Sequence, residues 1–199
     1  MKSDNKAQLI LWSLVIICGI VAFTMMKAPK PTQQQPAIYS APFTPEWMYY
    51  DELDAMTSKR SYFAALRSTN KFSLSFPYDG EQRASITLRT SPKYGKDIIL
   101  EMDKGQFLCY TRGCSVLVKF GDKQPQRFSA AEPETRESNV LFLNGYGQFV
   151  ANMMKADKVI IEVPIYKEGN RQLVFDTKGF DANRYLGKNP QPTAAPAKM

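Results

Sequence analysis

Histidine is absent from the 199 residues of this chain. Its absence removes the commonest metal ligand, the usual general base near neutral pH and every nucleophilic triad that contains histidine. The chain also lacks a phosphate-binding loop and a dinucleotide-binding fingerprint, because Gly145-Tyr146-Gly147 is only a short glycine pair. We therefore predict that the protein is not an enzyme and that it has no catalytic residues, no metal site and no cofactor.

Cysteine is scarce, with three residues at Cys18, Cys109 and Cys114. Cys109 and Cys114 flank a short turn that contains Gly113, and two cysteines at this spacing can close across the neck of a hairpin. Two unrelated buried thiols are the alternative, and C-x4-C without a second pair supplies only half a zinc site. We predict a disulfide between Cys109 and Cys114, which requires an oxidising compartment such as a periplasm.

Charge is missing from one long stretch near the N-terminus. The twenty residues from 7 to 26 carry no charged side chain, which is about the length that an α-helix needs to cross a bilayer. A cleavable secretory signal is the alternative, but the run ends in residues 22–26 without a small-x-small cleavage site. We predict that residues 1–27 form a cytoplasmic tail and a single transmembrane anchor of the inner membrane. The short N-terminal tail favours export of the rest of the chain to the periplasm.

The following segment, residues 28–45, is rich in proline and glutamine, with five prolines and three consecutive glutamines. Proline keeps a chain extended, so the segment is typical of a stalk that lifts a domain off the membrane. A disordered tether and a docking motif are the two alternatives for its role. Residues 188–199 are predicted to be a disordered tail. One folded domain of ordinary size remains at residues 46–187.

The net charge of +7 does not belong to this predicted domain. Residues 45–187 contain twenty Lys and Arg against eighteen Asp and Glu, so the basic excess lies in the flanks and tails. A nucleic-acid-binding domain concentrates basic charge on its folded surface, and we therefore expect no nucleic-acid partner. The acidic cluster of Asp51, Glu52 and Asp54 lacks the spacing and the glycine of a calcium loop, and it is predicted to be a solvated turn.

The body of the domain has the pattern of short strands. Several segments alternate apolar and polar residues, as strands that are covered on one face do. Asp79-Gly80 predicts a hairpin that joins residues 72–76 to residues 84–88, with Phe72, Leu74 and Phe76 on one side. The predicted strands are residues 62–66, 72–76, 84–88, 98–102, 116–120, 140–143, 159–163 and 173–175.

One segment has a helical period instead. Phe149, Val150, Met153 and Met154 fall on one stripe of a short amphipathic helix, and methionines in such a stripe more often fill core gaps than bind a ligand. The predicted fold class is mainly β: a compact antiparallel sandwich or barrel with one short helix.

Seven stretches follow one another between residues 57 and 180. They read SYFAALRSTN, FSLSFPYDGEQRASITLR, PKYGKDIIL, GQFLCYTRGCSVLVKF, QPQRFSAAEP, VLFLN and VIIEVPIYKEGNRQLVFD. In this order they resemble an uncharacterised group of small exported β-domain proteins of proteobacteria and their phages. The resemblance implies an exported β-fold with the cysteine pair and supplies no catalytic residues. The chain departs from the group after the final strand, where residues 180–185 replace the usual aromatic ending.

These features together predict a periplasmic binding or assembly module, anchored in the inner membrane, that contacts a protein partner of an envelope system. An inhibitor of a periplasmic enzyme is the first alternative, and a hydrolase of envelope polymers is the second. An inhibitor presents a protruding loop, whereas an assembly module presents a flat face or a sheet edge. The sequence specifies neither the binding residues nor an oligomeric state.

Overall fold

A computed structural model of the protein describes residues 46–109 and 113–188. The predicted anchor at residues 7–26, the linker at residues 28–45, the loop residues 110–112 and the end of the predicted tail lie outside the described residues. None of the helices in the described part is long and apolar enough to cross a membrane.

The described residues form eleven strands and two short helices, which confirms the mainly β prediction. Each of the eight predicted segments overlaps one strand, and three further strands were not predicted. The strands are β1 (Met48–Leu53), β2 (Arg60–Arg67), β3 (Phe72–Leu74), β4 (Gly80–Gln82), β5 (Ala84–Ser91), β6 (Gly95–Met102), β7 (Cys114–Phe120), β8 (Gln126–Ala131), β9 (Val140–Leu143), β10 (Lys158–Ile165) and β11 (Gly169–Asp176). The helices are α1 (Tyr146–Met153) and α2 (Ala182–Tyr185).

Nine of the strands form one antiparallel sheet in the order β1-β2-β5-β6-β9-β8-β7-β10-β11, and β3 and β4 form a small separate hairpin. Alternation explains why these segments are strands. In β10, for example, Val159, Ile161, Val163 and Ile165 are buried while the residues between them are more exposed. Because successive side chains of a strand point to opposite faces, one face of the sheet builds a single core.

Helix α1 closes part of that core. Phe149 is fully buried and meets the rings of Phe120 and Phe128 edge to face, with centroids 5.2 and 5.7 Å away. The predicted helical stripe is wrong at Met154, which is 59% exposed. The helix ends at Met153, and the i, i+4 line through Phe149 and Met153 is the one that faces the core. Met154 lies about a quarter turn away from that line.

The predicted hairpin partner of residues 72–76 is also wrong. Strand β3 pairs with β4, with Leu74 opposite Gly80, whereas residues 84–88 belong to β5 and pair with β2 and β6. Gly80 has the positive φ that its turn chemistry predicts. The local signal was therefore right about a turn, but the segment after it pairs with two longer strands, β2 before the small hairpin and β6 directly after β5. Phe76 lies in the hairpin loop and is 74% exposed.

The predicted acidic turn is wrong for two of its three residues. Asp51 and Glu52 lie in β1 and pair with Tyr62 and Ser61 of β2. Only Asp54 stands in the turn, where its carboxylate accepts hydrogen bonds from the backbone N–H groups of Met56 and Thr57. Carboxylates reach solvent from an edge strand as readily as from a turn, so the cluster by itself did not distinguish the two.

Candidate functional site

The predicted disulfide joins Cys109 to Cys114, whose Cα atoms are 4.6 Å apart. Structural disulfides persist in oxidising compartments and are rare where thioredoxin and glutathione keep thiols reduced. The bond therefore indicates an oxidising, extracytoplasmic location for the domain.

The disulfide does not brace a hairpin, and this part of the prediction is wrong. Phe107 lies opposite Ile165 of β10, and Leu117, ten residues later, lies opposite Glu162 of the same strand, only three residues away. Both flanks of the disulfide therefore run in one direction along β10. The chain leaves this line after Leu108, whose N–H donates to Pro164 O, and returns to it in β7. A hairpin would need flanks that run in opposite directions. The disulfide therefore closes a loop that interrupts one line of chain along β10.

A cleft of about 270 Å³ lies beside the disulfide loop. Leu108, Cys114 and Pro164 supply part of its wall, and Arg127 and Glu162 supply charges of opposite sign. The Arg127 guanidinium donates to Ser115 Oγ at 2.8 Å, so this side chain is already engaged within the cleft.

A larger groove, of about 410 Å³, lies between the β1–β2 turn and the β5–β6 turn. We call it the rim groove; its lining residues are Glu52, Leu53, Asp54, Thr57, Lys59, Ser61, Ser91, Pro92, Lys93 and Tyr94. Its floor contains a hydrogen bond of 2.9 Å between the hydroxyls of Ser61 and Ser91. The two turns are about forty residues apart in sequence, and they meet because β2 and β5 are neighbours in the sheet.

Large apolar side chains stand exposed around the rim groove. Leu53 is 56% exposed, Tyr94 is 57% exposed, and Met56, at the tip of the β1–β2 turn, is 94% exposed. Single exposed apolar residues are ordinary on a protein surface, but a cluster beside a concave groove is typical of an interaction site. The sequence pattern contains no sign of this cluster, because its members come from two separate turns.

The walls of the rim groove carry charges of both signs. Backbone hydrogen bonds from Thr57 and Met56 lower the pKa of the Asp54 carboxyl, with a smaller contribution from the charge of Lys93. The hydroxyl of Tyr94 raises the pKa of the Lys93 ammonium, and Asp54 adds to this effect. Both shifts favour the charged form of the group, and the Lys93 ammonium lies 4.8 Å from the ring centroid of Tyr94.

The two outermost strands of the sheet, β1 and β11, are covered to different extents. The loop after β2 covers β11, because Asn70 Nδ2 donates to Gln172 O, Asn70 Oδ1 accepts from Val174 N–H, and Thr69 N–H donates to Val174 O. The asparagine amide thus offers the donor and acceptor that a neighbouring strand offers.

The segment after β11 covers the beginning of β1. Trp47 Nε1 donates to Thr177 O at 3.3 Å, and the Tyr49 hydroxyl accepts from Asp181 N–H at 2.6 Å. The Phe180 ring meets Trp47 edge to face, with centroids 5.0 Å apart. The same segment continues into α2, where the buried Tyr185 hydroxyl lies 2.8 Å from Thr90 Oγ1. Its hydrogen bonds and ring contacts with β1 are made by the side chains of Trp47 and Tyr49.

The described residues contain no cluster of three or more side chains of the kinds that bind metals. In comparisons with known proteins, no protein-family model, no curated protein and no solved structure matches this chain.

Proposed function

We propose that the protein is a periplasmic binding module, anchored in the inner membrane, that holds a protein partner of an envelope system at its rim groove. The observation that carries this proposal is that the exposed apolar side chains of Leu53 and Tyr94 line a concave surface, with the exposed Met56 next to the lining residue Thr57 in sequence. Exposed apolar area of this kind costs solubility unless a partner covers it.

Two further observations support the proposed setting. The disulfide between Cys109 and Cys114 supports an oxidising compartment, and the uncharged run at residues 7–26 supports an anchor. The hydrogen bonds from Thr69 and Asn70 to β11 also support the proposal that the nine-stranded sheet curls into a barrel, because they join the end of β2 to the last strand.

Photocrosslinking in intact cells tests the proposed site. A photoreactive phenylalanine analogue replaces Met56 in the full-length chain, and the control carries it at Met154, which is 59% exposed directly after α1. We expect one envelope protein to be crosslinked from position 56 and not from position 154.

That protein is then purified and its affinity for the full-length chain is measured. We expect Leu53→Asp and Tyr94→Ala to weaken binding at least about tenfold, because each removes apolar contact from the interface. Equal crosslinking from positions 56 and 154, or unchanged affinity in both variants, would overturn the proposal.

An inhibitor of a periplasmic enzyme is the second candidate function, and the loop closed by Cys109 and Cys114 favours it. A covalent ring limits the conformations open to the segment that it closes, and this lowers the entropy cost of binding. The full-length chain is titrated against periplasmic proteases and cell-wall hydrolases, with Cys109→Ser/Cys114→Ser as the matched control. Inhibition by the native chain that the double variant loses supports this function, and the absence of inhibition excludes it for the enzymes tested.

A further inference from the structure

We propose that the edge of β1 at Asp51–Leu53 binds its partner by strand addition, and that the added strand is an extended segment with alternating basic and apolar side chains. This inference rests on the proposed function, because it names the way in which the rim groove holds its partner. The open edge and the rim groove share Glu52 and Leu53, so one extended segment can reach both.

The backbone phase of β1 determines which groups point away from the sheet. Asp54 N–H donates to Lys59 O, so Asp54 directs its backbone groups toward β2. Backbone groups of alternate residues in an antiparallel strand face the same neighbour. Glu52 and Tyr50 therefore also face β2, whereas Asp51 and Leu53 direct their N–H and C=O groups outward.

A second hydrogen bond gives the same phase independently. Ser68 N–H donates to Ala84 O, so even-numbered residues of β2 face β5 and odd-numbered residues face β1. Among those odd-numbered residues, Ser61 lies opposite Glu52 and Phe63 lies opposite Tyr50. The outward groups of Asp51 and Leu53 have no protein partner among the described residues, and they form the template that strand addition needs.

Other parts of the sheet's outer strands have partners. Asn70 and Thr69 satisfy backbone groups of β11 at Gln172 and Val174. The segment after β11, through Thr177 and Asp181, binds the side chains of Trp47 and Tyr49 at the start of β1. Proteins that leave an edge strand open commonly blunt it with lysine, proline or a bulge. The outward stretch Asp51–Leu53 has no lysine, proline or bulge, and its charged side chains are the carboxylates of Asp51 and Glu52.

The charge of the edge selects the partner's chemistry. The Asp51 carboxylate is paired with Arg60 in β2, whereas the Glu52 carboxylate makes no hydrogen bond or ion pair within the described residues. A second copy of this chain added antiparallel to β1 would bring the carboxylates of both copies together, and like charges on facing strands are destabilising. A basic side chain near Glu52 is favourable there, and apolar side chains can contact Leu53 and Tyr94.

A synthetic peptide tests this inference directly. The probe is a capped, fluorescein-labelled heptapeptide of alternating lysine and valine, and its binding to the full-length chain in a non-ionic detergent is followed by fluorescence anisotropy. We expect saturable binding that an alternating glutamate–valine peptide does not reproduce. Two further peptides are methylated at the backbone nitrogens of alternate residues, one at the odd-numbered and one at the even-numbered positions. We expect one of the two to bind at least about tenfold more weakly, because methylation there removes the hydrogen bonds to the edge.

Proline substitution tests the edge from the protein side. Leu53→Pro removes an outward N–H, whereas Leu53→Ala keeps that N–H and removes the side chain. We expect Leu53→Pro to weaken binding by at least about tenfold and Leu53→Ala by less than about threefold. Glu52→Pro is the control for the phase, since it removes an N–H that faces β2 and should lower the midpoint of thermal unfolding more than Leu53→Pro does.

Peptide binding that is insensitive to both backbone methylation and Leu53→Pro would overturn strand addition. Equal binding of the glutamate–valine peptide would instead overturn the basic character of the added segment. If peptide binding is insensitive to both changes but crosslinking from Met56 still recovers one partner, the rim groove binds through side chains alone and the proposed function stands. If Leu53→Pro does not fold, the methylated peptides test strand addition with the native chain.

Discussion

Glu168 connects two parts of the fold through one carboxylate. It lies in the β10–β11 turn, accepts a hydrogen bond of 2.5 Å from the Arg171 guanidinium, and accepts another of 2.8 Å from Ser75 N–H in the β3–β4 loop. These bonds lower the pKa of the Glu168 carboxyl from 4.5 to about 2, and the bond from Arg171 has the largest effect. The ionised carboxylate therefore stabilises the attachment of the small hairpin.

The difference in unfolding free energy between Glu168→Gln and the native chain should depend on pH. A carboxyl whose pKa is lower in the folded state stabilises the fold above its unfolded pKa, and this stabilisation is lost as the pH falls toward the folded value. We expect the variant to be less stable than the native chain at pH 7, with the difference shrinking from about pH 4.5 downward and vanishing near pH 2. Urea unfolding at a series of pH values measures it. Glu134→Gln, an exposed residue in the loop after β8, is the control, and a pH-independent difference for Glu168→Gln would contradict the expectation.

Among the elements, the loop after β2 completes the sheet through Thr69 and Asn70. The Asn70 side chain exchanges two hydrogen bonds with β11, at 2.8 Å to Gln172 O and 2.9 Å from Val174 N–H. Backbone groups of a neighbouring strand usually make such bonds, and here the Asn70 amide makes them beside the Thr69 N–H, which donates to Val174 O.

Asn70→Ala should therefore loosen the edge of β11. Each hydrogen bond contributes about 0.5–1.5 kcal/mol, so we expect a loss of about 1–3 kcal/mol in the free energy of unfolding. Hydrogen exchange should also accelerate at Val174 N–H more than at Ile161 N–H in the sheet interior. Asn152→Ala on the exposed face of α1 is a matched control. Unchanged exchange at Val174 in Asn70→Ala would show that this side chain does not cover the edge.

The disulfide loop is the second element with a measurable contribution. Its ring is short, and loop-closure entropy for a ring of about six residues gives about 2 kcal/mol. We expect Cys109→Ser/Cys114→Ser to lose about this amount in denaturant unfolding, with β7 and β10 remaining paired because their hydrogen bonds lie outside the loop. Mass spectrometry without reduction should find no free thiol at either position in protein from intact cells. Free alkylation of both thiols would contradict the bond and the extracytoplasmic location together.

For the molecule as a whole, the predicted arrangement is one membrane anchor followed by an exported domain. An alkaline phosphatase reporter fused after Met199 should be active, because that enzyme folds only where its disulfides form. Protease added to spheroplasts should remove the domain. Protection in spheroplasts followed by digestion after lysis would contradict the predicted orientation. Deletion of residues 1–27 behind a cleavable signal should release a folded domain and so test the anchor separately.

Features that depend on neighbouring residues could be predicted from the amino-acid sequence alone. Alternation in segments such as 159–163 and 84–88 specifies a strand, because a period of two directs successive side chains to opposite faces. The spacing of Phe149 and Met153 specifies a helical turn for the same kind of reason. The disulfide could also be predicted, since two cysteines so close in sequence, without a second pair or a histidine, supply only half a zinc site.

The choice of neighbouring strands, by contrast, became visible in the folded chain alone. Residues 84–88 carry no mark that distinguishes β3 from β2 or β6 as a partner, because pairing depends on closing loops and filling a common core. The disulfide loop is a second example. Its flanking sequences predicted a hairpin, but in the folded chain both flanks run in one direction along β10. The rim groove arises from two turns that are distant in sequence, and the strand order brings them together, as it also places β1 at the edge of the sheet.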